Sequence, residues 1–196
     1  MDPIAGEGGL IPRLFLVAPE RALSHLAACL KAACEVGDVA SLLVSPSTTR
    51  ELVILAQSKG VAVLSSGAAP HLSSDGVHVE ATTEAVAAAR QSVGNGGIVG
   101  AFAGYSRHFA MEAAEAGADY VGLSQNGPTI GGVPIIKWWT DFCVIPSVAF
   151  DPVEVTELAT LLPQNPDFIR PSDTMWDGPE AAHRIVSELM QRLKQT

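Results

Sequence analysis

Residues 76–124 read GVHVEATTEAVAAARQSVGNGGIVGAFAGYSRHFAMEAAEAGADYVGLS. Three short apolar runs, at 76–80, 97–102 and 119–124, alternate with two stretches in which apolar residues recur every three or four positions. Such runs are typical of strands buried on both faces of a parallel sheet, and the longer spacing is typical of amphipathic helices. The stretch therefore predicts a strand–helix–strand–helix–strand unit.

The same alternation extends in both directions along the 196 residues. Five more apolar runs bring the number of predicted strands to eight: 13–18, 39–45, 61–65, 145–150 and 167–171. Helical spacing recurs in four further stretches: 20–36, 48–59, 152–161 and 179–194. Eight strand–helix units favour a closed (β/α)8 TIM barrel, an α/β fold, over a doubly wound open sheet, which more often has five or six strands.

Three local expectations accompany this fold. The pair Asp151-Pro152 predicts a helix start, because an N-cap residue stands before a proline at the first helical position. Residues 66–75 are too short for a helix and predict a loop, whereas residues 130–142 predict a short helix whose tryptophan pair packs on the barrel. The whole chain, 1–196, is expected to form one domain, with residues 1–12 as a flexible arm.

Composition narrows the range of partners. The chain is 47% apolar and 17% charged, which is typical of a globular protein, and its formal charge is −9. Because no basic stripe accompanies that charge, we expect neither a nucleic acid nor a membrane surface as a partner. Three cysteines without a spaced framework argue against a disulfide scaffold, and we expect a cytoplasmic protein. The oligomeric state stays open, with a homodimer as one option.

Residues that end a barrel strand, or open the loop after it, meet at one mouth. His78 alternates with Val77 and Val79, so it should point into the barrel, either as a satisfied interior side chain or as a hydrogen-bonding group for a ligand. Arg170 follows the last strand, where such barrels often bind phosphate, and could instead pair locally with Asp173.

Four segments carry a resemblance to a known family. They are DGVHV (75–79), AAEAGADYVGLS (113–124), IPSVA (145–149) and DFI (167–169). In order and spacing they resemble the thiamine-phosphate synthases, from about residue 13 to residue 193, and look most like a divergent alphaproteobacterial-type branch. The resemblance implies a transferase that joins hydroxymethylpyrimidine diphosphate to thiazole phosphate through a pyrimidine cation. It also implies release of diphosphate, with magnesium bridging that leaving group.

The chain departs from the family's pattern at four strand ends. The family has Gln-x-Arg-x-Lys after the second strand, Asn-Asp after the third, Gly-Gln-x-Asp after the fourth and Gly-Gly after the seventh. This sequence has LVSPS (43–47), SS (65–66), EATT (80–83) and FD (150–151) there. The usual magnesium carboxylates and diphosphate-binding bases are thus missing, and whether the chain is an active enzyme stays open.

Carried onto this sequence, the resemblance implies a small phosphorylated heterocycle as ligand, magnesium if the chain is active, and Glu80 as the remaining metal contact. We assign no catalytic residue. We expect strand-end side chains to contact the ligand: Ser65, Ser66, His78, Ser106, Arg107, Ser124, Arg170 and Ser172. Two rival functions stay open, a non-catalytic binder or regulator on the same barrel and another phosphate-using barrel enzyme such as an isomerase.

Overall fold

The computed structural model describes residues 11–129 and 131–195, so most of the predicted arm, residues 1–10, lies outside the described residues. Eight parallel strands form a closed barrel in which each strand pairs with its neighbours in sequence, and β8 pairs with β1. The strands are β1 (Arg13–Val17), β2 (Val39–Val44), β3 (Ala62–Ser66), β4 (Gly76–Glu80), β5 (Ile98–Gly104), β6 (Tyr120–Leu123), β7 (Ser147–Val153) and β8 (Phe168–Pro171). The predicted (β/α)8 barrel is confirmed.

Helices cover the outside of the barrel. They are α1 (Leu23–Val36), α2 (Arg50–Ser58), α3 (Thr83–Val93), α4 (Arg107–Glu115), α5 (Ile135–Phe142), α6 (Leu158–Leu161) and α7 (Pro179–Leu193). The link from β3 to β4 is a loop, as predicted, and α5 is the short helix expected in the link after β6. In the part of the chain that the structure describes, no helix is long and apolar enough to cross a membrane.

Strand residues alternate between two apolar layers. Outward-facing side chains such as Leu14 and Leu16 pack with the helices in the larger core. Inward-facing side chains form a second cluster inside the barrel: Phe15, Leu43, Leu64, Tyr120 and Val148. Because successive side chains on a strand point to opposite faces, this alternation determines which residues reach the barrel interior.

An aspartate precedes every even-numbered strand, at positions 38, 75, 119 and 167. Three of these carboxylates accept a backbone N–H from the preceding odd-numbered strand at 2.7–2.8 Å: Asp75 from Val63, Asp119 from Val99 and Asp167 from Ser147. The fourth, Asp38, pairs with Arg13. These contacts tie strands together at the amino-terminal end of the barrel, opposite the mouth, where side chains generally serve stability.

The predicted helix start at Asp151-Pro152 is wrong. Strand β7 continues to Val153, which pairs with Pro171, and helical turns begin only where Glu154 and Glu157 form a capping box. The side chain of Gln125 explains the extension, because its amide donates to the Asp151 carbonyl at 2.8 Å and its oxygen accepts the Asp151 N–H at 3.1 Å. The contact between Gln125 and Asp151, which are distant in sequence, therefore outweighs the local helix signal. Only α6 forms in place of the predicted longer helix, with a short 3-10 turn on each side.

Candidate functional site

The phenyl ring of Phe150 lies at the centre of the barrel mouth, between His78 and Arg170. The His78 ring stacks on it with a centroid separation of 5.0 Å and an interplanar angle of 1°. The Arg170 Cζ atom lies 5.7 Å from the centroid of the same ring, and Phe102 packs against it at 4.9 Å. The polar groups of β4 and β8 thus converge around one aromatic side chain.

Two buried nitrogen atoms in this group, His78 Nε2 and Arg170 Nε, have no hydrogen-bond partner within the described residues. A buried polar atom without a partner costs on the order of 1–3 kcal/mol. Such a cost is ordinarily met by a water molecule or by a ligand atom. These two atoms are therefore where the mouth has capacity to bind something.

His78 is held by Tyr120 from the opposite side of the interior. The imidazole Nδ1 and the Tyr120 hydroxyl are 2.7 Å apart, and their rings stack at 5.6 Å. Burial lowers the pKa of His78 to about 4 and raises the pKa of Tyr120, so both groups are neutral at pH 7. The pair presents a neutral imidazole to the mouth, able to donate or accept one hydrogen bond through Nε2.

Space for this pair comes from Gly100 on β5. A Cβ added there would lie 1.9 Å from Tyr120 Cζ and 2.1 Å from its hydroxyl oxygen. Gly122 on β6 gives similar space to Phe150, whose Cδ2 would lie 2.9 Å from an added Cβ. The glycines of β5 and β6 therefore determine where the large side chains of β6 and β7 lie.

Protonation of His78 makes stability depend on pH. Its pKa of about 4 in the folded state is below the ordinary histidine pKa of about 6.5, so the unfolded chain takes up a proton first as pH falls. The wild type should lose about 3 kcal/mol more unfolding free energy between pH 7 and pH 4 than a His78→Gln variant. Urea titrations at each pH measure the difference. His183→Gln, at an exposed position of α7, should follow the wild type, and equal slopes for all three proteins would contradict the prediction.

Arg170 forms the local pair that the sequence allowed, and it also lines a cavity. Its Nη2 donates to both carboxylate oxygens of Asp173 at 2.8 Å, and its Nη1 donates to the Phe150 carbonyl at 3.3 Å. The cavity, of about 330 Å³, opens between the ends of β8 and β1. Its lining comprises Val17, Ala18, Pro19, Arg21, Arg170, Asp173, Thr174, Trp176 and Asp177.

Ser172 organises the loop beside this cavity. Its hydroxyl, almost fully buried, is 2.9 Å from the Thr174 hydroxyl and accepts the Thr174 N–H at 3.4 Å. That contact begins the 3-10 turn Asp173–Asp177, whose Thr174, Trp176 and Asp177 face the cavity. Ser172 therefore positions the wall of the cavity next to Arg170.

The two serines after β3 have different environments. Ser65 is fully buried, and its hydroxyl accepts the His71 N–H at 3.0 Å and lies 3.3 Å from the Ser74 hydroxyl, so it anchors the β3–β4 loop. Ser66 is half-buried and pairs in register with His78 on the neighbouring strand. Of the two, Ser66 is the one placed beside the residues of the mouth.

Ser124 and Asp151 form a latch between β6 and β7. The Ser124 hydroxyl donates to Asp151 Oδ1 at 3.0 Å, and the Asn126 N–H donates to Oδ2 at 3.2 Å. With the Gln125 amide bonded to the Asp151 backbone, the loop after β6 is fixed to the end of β7. The Asp151 carboxylate thus accepts from the Ser124 hydroxyl and the Asn126 N–H. These two donors are therefore already used and are not open to an anionic ligand.

Ser106 and Arg107 begin α4 after β5. The Ser106 hydroxyl accepts the Phe109 N–H at 3.1 Å and caps the helix. The Arg107 guanidinium lies 4.7 Å from the ring centroid of Trp138 and donates to the Val133 carbonyl at 3.3 Å. The two Arg107 contacts therefore join α4 to α5 and to the link that precedes it.

Glu80 is exposed at the end of β4. Across residues 11–129 and 131–195, no three His, Cys, Asp or Glu side chains come together as a metal-binding group. Magnesium in enzymes usually has one or two carboxylates together with substrate oxygens. Glu80 therefore belongs to no group of three such side chains among the described residues, and the protein residues alone do not fit a built magnesium site.

The sequence pattern predicts His78 and Arg170 at the mouth but not the aromatic group around them. Phe150 is expected at a strand end, whereas Tyr120 and Gly100 are expected only as strand residues. The alternation that directs His78 inward also occurs on β5, β6 and β7, and it is the sequence signal for Phe102, Tyr120 and Phe150. The latch at Asp151 had no local signal, because its partners lie 25–27 positions earlier in the chain.

The chain is similar to known proteins in both sequence and fold. The family model described as thiamine monophosphate synthase matches residues 14–164. The thiamine-phosphate synthase of Hyphomonas neptunium is 34% identical over 92% of this chain and 95% of its own length. That of Rhodospirillum centenum is 31% identical over 90% and 95%. The thiamine phosphate pyrophosphorylase of Pyrococcus furiosus shares the fold, with a TM-score of 0.75 at 18% identity over 94% of this chain and 96% of that one.

Proposed function

This chain belongs to the thiamine monophosphate synthase family, and on that premise we propose that it forms thiamine phosphate from two heterocyclic substrates. In the proposed reaction, a C–N bond forms between the pyrimidine methylene carbon and the thiazole nitrogen, and the bond from that carbon to diphosphate breaks. The observation that carries the proposal is the similarity to thiamine-phosphate synthases at 31–34% identity over at least 90% of the chain. The cytoplasmic location stays a prediction.

The barrel interior supports chemistry that passes through a cation. Ring faces carry partial negative charge and favour a nearby cation, and Phe102 and Phe150 present such rings at the mouth. The low pKa of His78 keeps the imidazole neutral, so it adds no repelling charge. We assign the heterocyclic ring to this aromatic region, with the His78 Nε2 atom as a hydrogen-bonding partner.

We assign the phosphate of the thiazole substrate to the cavity between β8 and β1. Arg170 and Arg21 supply positive charge there, and the unpartnered Arg170 Nε can donate to a phosphate oxygen. Asp173 and Asp177 line the same cavity, so the site is not a simple basic patch. The balance of charge suits one phosphate group better than a diphosphate.

Magnesium, if the chain is active, would supply positive charge that stabilises the leaving diphosphate. Because the described residues bring no three metal-binding side chains together, no step of this proposal passes through a metal held by the protein. Diphosphate would have to bring the ion with it, with Glu80 as one ligand.

The experiment that tests the proposal is a direct assay for thiamine phosphate. Purified protein is incubated with hydroxymethylpyrimidine diphosphate, thiazole phosphate and magnesium, and the product is separated and quantified. Thiamine phosphate above the level of a protein-free control, reduced in a His78→Ala variant, is the expected result. No product above that control would refute the proposed activity.

A second candidate function is a binder of phosphorylated heterocycles without catalysis. The latch favours it, because the Asp151 carboxylate occupies the hydroxyl of Ser124 and the N–H of Asn126 at the mouth. Calorimetry with thiazole phosphate, thiamine phosphate and inorganic phosphate separates the two candidates. Binding without product formation supports the second, and no binding of any of the three refutes both.

A further inference from the structure

The carbonyl of Trp176 stands near the end of a helical turn that cannot supply its next backbone donor. Trp176 lies in the 3-10 turn Asp173–Asp177, in which hydrogen bonds join a carbonyl to the N–H three residues later. For Trp176 that later residue is Pro179, which has no N–H. Because Trp176 is only 3% exposed, its carbonyl needs a donor from elsewhere in the protein.

His25 of helix α1 supplies that donor. Its Nε2 atom lies 2.5 Å from the Trp176 carbonyl oxygen, although the two residues are 151 positions apart in sequence. Because a carbonyl oxygen only accepts, the hydrogen atom of this contact lies on Nε2, whatever the charge of the ring. The contact is partly buried, which limits competition from water. Helix α1 is therefore hydrogen-bonded to the end of the 3-10 turn.

The turn held by this bond carries part of the wall of the cavity between β8 and β1. Asp173, its first residue, accepts two hydrogen bonds from the Arg170 Nη2 atom at 2.8 Å. Thr174, Trp176 and Asp177 line the cavity together with Arg170. The Arg170 Nε atom keeps no partner among the described residues. The position of the turn therefore determines where the Arg170 guanidinium is held.

We propose that His25 is a positioning residue for the phosphate of the thiazole substrate. Its Nε2–H fixes the turn at the Trp176 carbonyl, and the turn, through Asp173, holds the Arg170 guanidinium at the cavity. His25 is not among the residues that line the cavity, so it acts on the ligand through the turn. The inference rests on the proposed function, because that function assigns the phosphate to this cavity.

Hydrogen exchange tests the contact itself, without any ligand. His25→Leu removes the donor, whereas the side-chain amide of His25→Gln places an N–H at a reach similar to that of the imidazole Nε2. Backbone amides of residues 173–177 should exchange roughly 10-fold faster in His25→Leu than in the wild type, and close to the wild-type rate in His25→Gln. Amides of β4 should exchange alike in all three proteins. Equal exchange of the turn in His25→Leu and the wild type would overturn the proposal.

Calorimetry with thiazole phosphate tests the link to the site. The dissociation constant should rise about 10-fold in His25→Leu and return to within about threefold of the wild-type value in His25→Gln. His108→Leu, at a side chain on α4 that is 74% exposed, should bind like the wild type. A role in stability alone would lower the midpoint of urea unfolding of His25→Leu and leave its affinity unchanged, and that result would overturn the proposal.

A double-variant cycle tests whether His25 acts through Arg170. Adding His25→Leu to Arg170→Met should weaken binding by less than about threefold further, because the group that the turn positions is already gone. Full additivity of the two effects would overturn the proposal, as would a wild type that does not bind thiazole phosphate. If these affinities are as expected but no thiamine phosphate forms in the direct assay, the proposed activity is refuted and the positioning role of His25 stands.

Discussion

Replacing Arg170 with methionine is expected to weaken the binding of thiazole phosphate by about 10- to 100-fold. A hydrogen bond to a charged group contributes about 1.5–3 kcal/mol, and methionine keeps much of the side-chain length while removing the charge and the donors. The guanidinium lies at the cavity between β8 and β1, and its Nε has no partner in the described part of the chain. Isothermal titration calorimetry measures the change.

Arg13→Met is the matched control for this experiment. Arg13 donates to both carboxylate oxygens of Asp38, as Arg170 does to Asp173, but at the amino-terminal end of the barrel. Its loss should leave the affinity for thiazole phosphate unchanged. Equal affinities for Arg170→Met and the wild type would contradict the placement of the phosphate, as would an equal loss in both variants.

Gly100→Ala is expected to destabilise the fold by about 3 kcal/mol, at the upper end of what overpacking a core usually costs. The new methyl carbon would lie 1.9 Å from Tyr120 Cζ, and Tyr120 has little freedom to retreat. Its hydroxyl is bonded to His78, and its ring packs against Phe15 at 5.6 Å. The substitution should therefore displace the Tyr120–His78 pair as well as lower the midpoint of urea unfolding.

Gly96→Ala provides the comparison, since an added Cβ at that position has no heavy atom within 4 Å. It should change the unfolding free energy by no more than about 0.5 kcal/mol, as is usual for surface substitutions. If Gly100→Ala were as stable as Gly96→Ala, the packing of Tyr120 against β5 would not be what positions His78.

The sequence predicted the barrel because its signals are local and repeated. Strand β4 and helix α3 have the predicted bounds, since alternation in GVHVE and helical spacing in the following stretch need no distant partner. The prediction of a helix at residues 152–153 is wrong because the Gln125 side chain, which is distant in sequence, hydrogen-bonds to the Asp151 backbone and β7 continues there. No local pattern contains that information.

The candidate site was predictable to the extent that strand geometry determines it. Alternation is enough to direct His78 inward, and the position of Arg170 near the carboxyl end of β8 is enough to bring it to the mouth. The role of Phe150 depends on three strands meeting around one ring, which only the closed barrel provides. Ser65 could not be assigned from strand position alone. Its hydroxyl already forms hydrogen bonds within the β3–β4 loop that it anchors.

The central claim is that a phosphorylated heterocycle binds at the mouth with its phosphate beside Arg170 and its ring near Phe150 and His78. An electron-density map from crystals grown with saturating thiazole phosphate tests it most directly. We expect phosphate density within hydrogen-bonding distance of Arg170 in the cavity between β8 and β1. Phosphate density bound elsewhere on the molecule, with this cavity holding only solvent, would contradict it.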